Sequence, residues 1–386
     1  MRIAYFTDTY LPEVNGVANT LSLLGNYLDG KHINQIVFAP DYEKDYADSF
    51  SECRKVYRYK GLYTTLSPES RLAFPAFWEI DEICDLFEPD IIHVTTELGI
   101  GFRGMRHAVS RGIPLIMSCH TNYCKYLKYH NLDIFRPFLE KYLYWFYSFS
   151  AKTLAPSRQT LEELFYNGYQ NLELWSRGID IGRFNPEYRN NELRRNLGSG
   201  KFIFLYVGRL SREKNLDMLL DAACVIEQRF PGQTVFIFTG DGPYAGDIQN
   251  RRLPNVVCTG FKHGRELSEI YASADCFAFP SGTETFGNVV LEAMASGLPV
   301  AGVASGGVTD FLVSNNNALL CAAEDTQAFT ANLISFLEDA NLRLRLAGNA
   351  RKTALSRDWN YIFDGLISIY NNVIEEKRQR FLKQPA

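Results

Sequence analysis

At 386 residues the chain is longer than one hydrophobic core usually serves, so two domains are expected, and its 46% apolar residues can fill two cores. A net charge of −4 speaks against a dedicated nucleic-acid partner, which selects a basic surplus. The eight cysteines, at 53, 84, 119, 124, 224, 258, 276 and 321, have neither C-x-x-C pairing nor metal-ligand spacing, and read as small core residues in a reducing compartment.

From the N-terminus, MRIAYFTDTY runs directly into a short strand and reaches Asp8 too soon for the apolar region of a signal peptide. No run of about 18 apolar residues could span a membrane, so the expectation is a cytoplasmic protein. Short β-rich runs then alternate with helix-length segments, which predicts parallel α/β sheets covered on both faces. Strands are expected at 2–8, 35–40, 91–96, 114–120 and 151–157. The pattern starts again at 201–209, 233–240, 256–261, 276–281, 299–303 and 318–321. Between the halves, residues 175–191 are polar and carry Gly178, Gly182 and Pro186, as a linker would. Residues 359–381 predict a long terminal helix whose packing partner the sequence does not specify. The division is therefore 1–174, a linker 175–191, 192–357, and a terminal helix 358–386. No period of 20–50 residues is present, which excludes a solenoid.

Ligands of open parallel sheets bind at the loops beyond the strands' C-terminal ends. Those loops carry Gly16 in DTYLPEVNGVANTL, His120 in SCHTNY, Arg209 and Lys214 in GRLSREKN, and Phe261 in TGF. GDGP at 240–243 has the wrong spacing for a dinucleotide loop. The richest stretch is SGTETFGNVVLEAMASGLPVA, 281–301, in which a helix is expected over 288–296. Glu292 falls one turn inside that helix and Glu284 precedes it. The free N–H groups around Thr285, Phe286, Gly287 and Asn288 favour an anion before the helix. Arg209 and Lys214 suit phosphate oxygens, or form an ordinary charged set with Glu213. Glu292 suits ribose hydroxyls and Glu284 those of a second sugar; the plain alternatives are a solvated helix residue and a turn residue. No Asp-x-Asp motif offers a metal site, and none is expected. Together these groups suit a nucleoside diphosphate carrying a sugar.

GRLSREKNLDMLLDA, VVCTGF, ADCFAFPS and SGTETFGNVVLEAMASGLPVA resemble the donor domain of retaining glycosyltransferases of the GT-B fold, family 4. DTYLPEVNGVANTL, MSCHTNY, and SRGID with FNP resemble that family's N-terminal domain and linker, so the resemblance covers nearly the whole chain. It implies two Rossmann-like domains with parallel sheets facing across a cleft, an acceptor-binding N-terminal domain, a donor-binding C-terminal domain, and a terminal helix that crosses back. It also implies roles. Arg209 and Lys214 bind the donor diphosphate, Glu292 the ribose, and Glu284 with the 285–288 backbone the transferred sugar. Gly16 approaches the diphosphate, His120 sits near the transferred sugar, and Phe261 lies near the base. The expected reaction retains anomeric configuration and uses no metal or resident cofactor, the nucleotide sugar being a substrate linked to UDP or GDP.

RGID together with EVNGV is similar to members that glycosylate lipids such as diacylglycerol, which points to a membrane-lipid acceptor. A soluble or polysaccharide acceptor, and a sugar-nucleotide epimerase of the same architecture, stay open. So does a non-catalytic nucleotide-sugar sensor, whereas the missing G-x-G-x-x-G in the first βα turn speaks against a nicotinamide oxidoreductase. Phe135, Phe138, Tyr142, Trp145 or Phe146, and Phe149 recur at helical spacing, with Lys125, Lys128, Arg136 and Lys141 among them. The two readings are a core-facing stripe and an interfacial segment on anionic lipid. A surplus of positive charge over 50–75, from Arg54, Lys55, Arg58, Lys60 and Arg71, adds to the second.

Overall fold

Runs of aliphatic and aromatic residues without polar interruption form strands with both faces covered, and these strands assemble into two sheets. The computed structural model describes residues 1–13, 15–42, 51–63, 71–120 and 133–382. The first sheet contains β1 (Arg2–Phe6), β2 (Asn34–Asp41), β3 (Arg54–Tyr63), β4 (Arg71–Ala73), β5 (Ile91–Val94), β6 (Leu115–Ser118), β7 (Lys152–Ala155) and β8 (Leu172–Leu174). Its order is β4-β3-β2-β1-β5-β6-β7-β8, parallel except where β4 pairs antiparallel with β3. The second sheet contains β9 (Phe202–Val207), β10 (Thr234–Thr239), β11 (Val256–Gly260), β12 (Cys276–Phe279), β13 (Val300–Val303) and β14 (Ala318–Cys321), in the all-parallel order β11-β10-β9-β12-β13-β14.

The alternation of strand side chains builds a core on each face of the second sheet. Ile203, Leu205, Val207, Val235, Ile237, Phe277 and Phe279 enter one cluster. Their neighbours Phe204, Tyr206, Phe236, Phe238, Cys276 and Ala278 enter the other. Each buried aromatic of this kind contributes about 2–3 kcal/mol by leaving water. Every strand anticipated from the sequence is present. The first ends at Phe6 rather than at residue 8, because Thr7 already turns back, its hydroxyl bonding the Thr9 carbonyl at 2.7 Å.

β3, β4 and β8 are additions, and β3 and β4 carry the basic residues of 50–75, of which 50 and 64–70 lie outside those described. Three of the five are bonded within the unit, while Lys55 and Lys60 are exposed. Arg54 pairs with Asp29 at 3.2 Å, Arg58 donates to the Pro40 carbonyl at 3.0 Å, and buried Arg71 donates to the carbonyls of Asp41 and Tyr42.

Met1–Ser176 and Asn360–Ala386 form one compact unit, and Arg177–Trp359 forms a second. The linker residues from 177 onward therefore cluster with the second sheet. The terminal helix Trp359–Leu382 lays Phe363, Leu366, Tyr370 and Val373, one face at helical spacing, into the core of the first unit. There the Tyr370 hydroxyl lies 3.2 Å from that of Tyr5 and 2.6 Å from His93 Nδ1. Among the described residues, no helix is long and apolar enough to cross a membrane.

Each sheet has one point where strand order reverses: between β1 and β5 in the first, and between β9 and β12 in the second. Adjacent loops there leave in opposite directions, which opens a crevice at the strands' C-terminal ends.

Candidate active site

The loops flanking the second reversal point carry the residues singled out from sequence. After β9, Gly208 and Arg209 lie against the loop after β10 so closely that a Cβ on Gly240 would fall 1.9 Å from the Gly208 carbonyl oxygen. GDGP is thus a backbone-on-backbone brace for the Arg209 loop, completed by a bond from Leu210 N to the Asp241 carbonyl at 2.9 Å. The Tyr206 hydroxyl fixes the Arg209 carbonyl at 3.0 Å, and the Arg209 guanidinium makes no ion pair among the described residues. A short 3₁₀ turn, Arg212–Lys214, then aims Lys214 across the reversal point.

Lys214 Nζ donates to Glu284 Oε1 at 2.5 Å. The plain alternative of a pair with Glu213 is not what forms, since Glu213 accepts from Ser211 at 2.5 Å. Glu284 also accepts from the hydroxyl of fully buried Ser281 at 3.2 Å, so its carboxylate is oriented from two sides. Its backbone is held from below by a loop that sequence reasoning passed over. Gly307 N donates to the Glu284 carbonyl at 2.7 Å, and a Cβ on Gly307 would lie 2.1 Å from the Thr285 carbonyl oxygen. The SGG at 305–307, after β13 and at the same sheet edge, was the available signal.

The helix expected over 288–296 runs Asn288–Ala295. Its N-cap is Gly287, left-handed at φ 92°, with no side-chain cap and no acid in the first turn. The backbone N–H groups of residues 286–288 make no hydrogen bond among the described residues. Phe286 anchors the turn by packing on Phe311, ring centroids 5.3 Å apart. One turn in, Glu292 Oε2 accepts from the Tyr271 hydroxyl at 2.9 Å. Burial pushes the Glu292 carboxyl upward, opposed by that hydrogen bond and by the charge of Arg183. Neither Tyr271 nor Arg183 was singled out from sequence, because a tyrosine within a helix's apolar face reads as core. Phe261 lies at the same edge, past β11, with its ring exposed and parallel to His263 at 6.1 Å.

Arg209, Lys214, Glu284, the 285–288 turn and Glu292 therefore lie at one reversal point of one sheet, with Phe261 at the same edge. Two cations, unused backbone donors and two oriented carboxylates can take a diphosphate flanked by hydroxyl-bearing groups.

Gly16 and His120 belong to the first unit. Gly16 is the exposed first residue of α1 (Gly16–Gly30), beside its N-cap Asn15, whose Oδ1 accepts from Val17 N and Ala18 N at 3.0 and 2.9 Å. His120 lies just past β6, edge-on to Trp175 at 5.8 Å. Residues 121–132, which include Lys125 and Lys128, lie outside those described. The aromatic segment continues as a helix, Arg136–Tyr147, and divides. Leu143, Phe146 and Tyr147 are core, whereas Phe135, Phe138, Trp145 and Phe149 are exposed. The core-facing reading therefore fails for most of the stripe.

Comparison with known proteins identifies the family. The family described as Glycosyltransferase Family 4 matches residues 14–183, and that described as Glycosyl transferases group 1 matches 189–353. A GDP-mannose-dependent alpha-mannosyltransferase of Mycobacterium tuberculosis is 30% identical over 376 residues, covering 97% of both chains. An alpha-monoglucosyldiacylglycerol synthase of Streptococcus pneumoniae is 31% identical over 315 residues, 78% of this chain and 70% of that protein. The structure of a sucrose-phosphate synthase from Thermosynechococcus elongatus superimposes with a TM-score of 0.79 at 19% identity, over 97% of this chain and 99% of that one. The chain belongs to glycosyltransferase family 4 and has the GT-B fold.

Proposed function

We propose that this glycosyltransferase moves a hexose from a nucleoside diphosphate sugar to a lipid hydroxyl, with retention of anomeric configuration and without a metal ion. The observation that carries the reading is the pairing of Lys214 with Glu284 beside a helix N-terminus without a side-chain cap and an Arg209 that has no ion pair among the described residues. As the bond between sugar and diphosphate breaks, negative charge builds on the phosphate oxygens. Arg209, Lys214 and the 286–288 N–H groups stabilise it, which places the task of a metal on the chain itself. When the diphosphate takes Lys214, Glu284 keeps its bond from Ser281 and becomes free to accept from the sugar's hydroxyls. Glu292 takes the ribose and exposed Phe261 the base, while Gly16 and His120 keep the roles that the resemblance implies. The acceptor hydroxyl attacks on the face the diphosphate leaves, and its proton passes to the departing phosphate oxygen.

GDP-mannose is the first donor to try, because the mannosyltransferase relative matches this chain end to end. A lipid acceptor is supported by the diacylglycerol-named relative. It is also supported by the exposed Phe135, Phe138, Trp145 and Phe149, with Arg136 and Lys141 on the same helix, a composition suited to an anionic bilayer surface on the cytoplasmic side. The test incubates the protein with GDP-mannose or UDP-glucose, lipid vesicles and EDTA, and reads the product anomer by NMR. Transfer with the donor's configuration kept is expected. An inverted product, abolition by EDTA, or acceptor-free conversion of the donor would each overturn the corresponding part. Co-sedimentation with anionic vesicles tests the surface. Binding is expected, weakened at least fivefold by Phe138→Asp with Trp145→Asp, and a wild type left in the supernatant contradicts it.

A further inference from the structure

Tyr271 is fully buried, yet its hydroxyl reaches the donor site. It lies on the helix Gly264–Ser273, its ring wedged edge-on against Phe184 at 5.5 Å and tilted against Phe277 at 5.9 Å. Packed from two sides, the ring has no freedom to swing, so the position of the hydroxyl is set by the core rather than by the ligand. That hydroxyl is 2.9 Å from Glu292 Oε2 and 3.3 Å from the Val289 carbonyl. A phenol has one proton to give, and the charged, closer acceptor takes it. Oε1 has no hydrogen-bond partner among the described residues, and Oε2 keeps one lone pair.

We propose that Tyr271 is the positioning residue of the nucleoside-binding carboxylate: through its bond to Oε2 it aims Glu292 so that Oε1 and the remaining Oε2 lone pair accept from the two vicinal hydroxyls of the ribose. This rests on the donor reading of the site given above. The charged and titratable groups facing Glu292 are Tyr271 from its helix and Arg183 from the segment before Phe184. Burial together with the Glu292 charge holds the Tyr271 phenol well above its ordinary range, so it stays a donor at every working pH. The bond from Tyr271 lowers the Glu292 carboxyl against the upward push of burial. Loss of the hydroxyl therefore raises that carboxyl further, and the acidic limb of nucleotide binding moves to higher pH.

The experiment measures binding of GDP and 2′-deoxy-GDP, and of UDP and 2′-deoxy-UDP, to wild type, Tyr271→Phe, Glu292→Gln and the double variant, across pH 4.5 to 8. Wild type is expected to prefer the ribonucleotide. Tyr271→Phe should weaken it by about 10-fold, narrow the gap to the deoxy form, and shift the acidic limb upward. On the Glu292→Gln background the same change should leave the ribo-to-deoxy ratio where it is. A purely packing role lowers thermal stability and affects both nucleotides alike, with no change in the limb, and that result overturns the assignment alone. A wild type with ribose preference that Tyr271→Phe leaves intact does the same. A folded wild type that binds none of the four overturns the donor reading and this assignment with it.

Discussion

The two reversal points are built alike and use their polar groups in opposite ways. In the first unit Asp8, just past β1, turns inward onto the start of the helix Gly99–Arg111, where Oδ1 accepts from Ile100 N at 2.7 Å and Oδ2 from the Thr96 hydroxyl at 2.7 Å. The neighbouring helix α1 is capped by Asn15. A carboxylate of the chain thus occupies the place at a helix N-terminus that an anionic ligand would otherwise take. In the second unit the equivalent helix, Asn288–Ala295, begins on a glycine with no side-chain cap among the described residues, and Glu284, just before it, is paired with Lys214. The same topology is capped by an internal carboxylate in one sheet and left without a side-chain cap in the other.

The sharpest way to break this contrast is to remove the second unit's cations. Arg209→Ala and Lys214→Ala should each lower kcat by about 10² to 10³ while the protein still folds. Near-normal turnover in both folded variants would detach the charged crevice from the chemistry. Lys214→Ala also deprives Glu284 of its ion-pair partner, so sugar recognition should suffer there more than in Arg209→Ala.

A matched pair of glycines sharpens the contrast at the backbone. A Cβ on Gly307 would meet the Thr285 carbonyl oxygen at 2.1 Å, and one on Gly101 would meet that of Thr96 at 1.8 Å. Each substitution to alanine overpacks the loop beside its own reversal point and should cost about 1–3 kcal/mol, read as a lowered melting temperature. Only Gly307→Ala should also weaken nucleoside diphosphate binding, by about 10-fold, because it displaces the backbone donors at 286–288. Equal binding losses in the two variants would erase the distinction between the units.

Much of this was legible before the fold, for identifiable reasons. The strands of the second sheet are unbroken apolar runs buried on both faces, and Arg209, Lys214, Glu284 and Glu292 sit in short loops or a helix start at the strands' C-terminal edge, where the rule for open sheets and the family resemblance directed attention. β3 escaped because Arg54, Arg58 and Lys60 alternate with Tyr57 and Tyr59, so a strand near the sheet edge reads as a basic surface, and β8 is three residues long. Tyr271 and Glu292 lie 21 residues apart, and no local pattern announces that a core tyrosine ends on a site carboxylate. The turn at 305–307 was visible as a glycine pair, but its service under Glu284 depends on β13 lying beside β12.

The smallest expected effect tests the closed crevice. Burial pushes the Asp8 carboxyl up to about 6, against the hydrogen bonds from Ile100, Thr96, Gly101 and Leu98 that favour its ionised form. A group raised in the folded state contributes stability that is complete below its unfolded value and is lost as pH rises through its folded one. Wild type should therefore lose stability relative to Asp8→Asn between pH 4 and about 6. Asparagine keeps one acceptor oxygen for the start of the helix Gly99–Arg111, so at pH 4 the variant should be the less stable by about 1 kcal/mol. That deficit closes and then reverses as pH rises to about 6 and above, because the upward push on the Asp8 carboxyl outweighs it. Chemical denaturation of both proteins across that range measures the difference directly. A pH-independent difference would mean that Asp8 is not the buried anion closing the first crevice, and donor binding by the second unit should be the same in both proteins throughout.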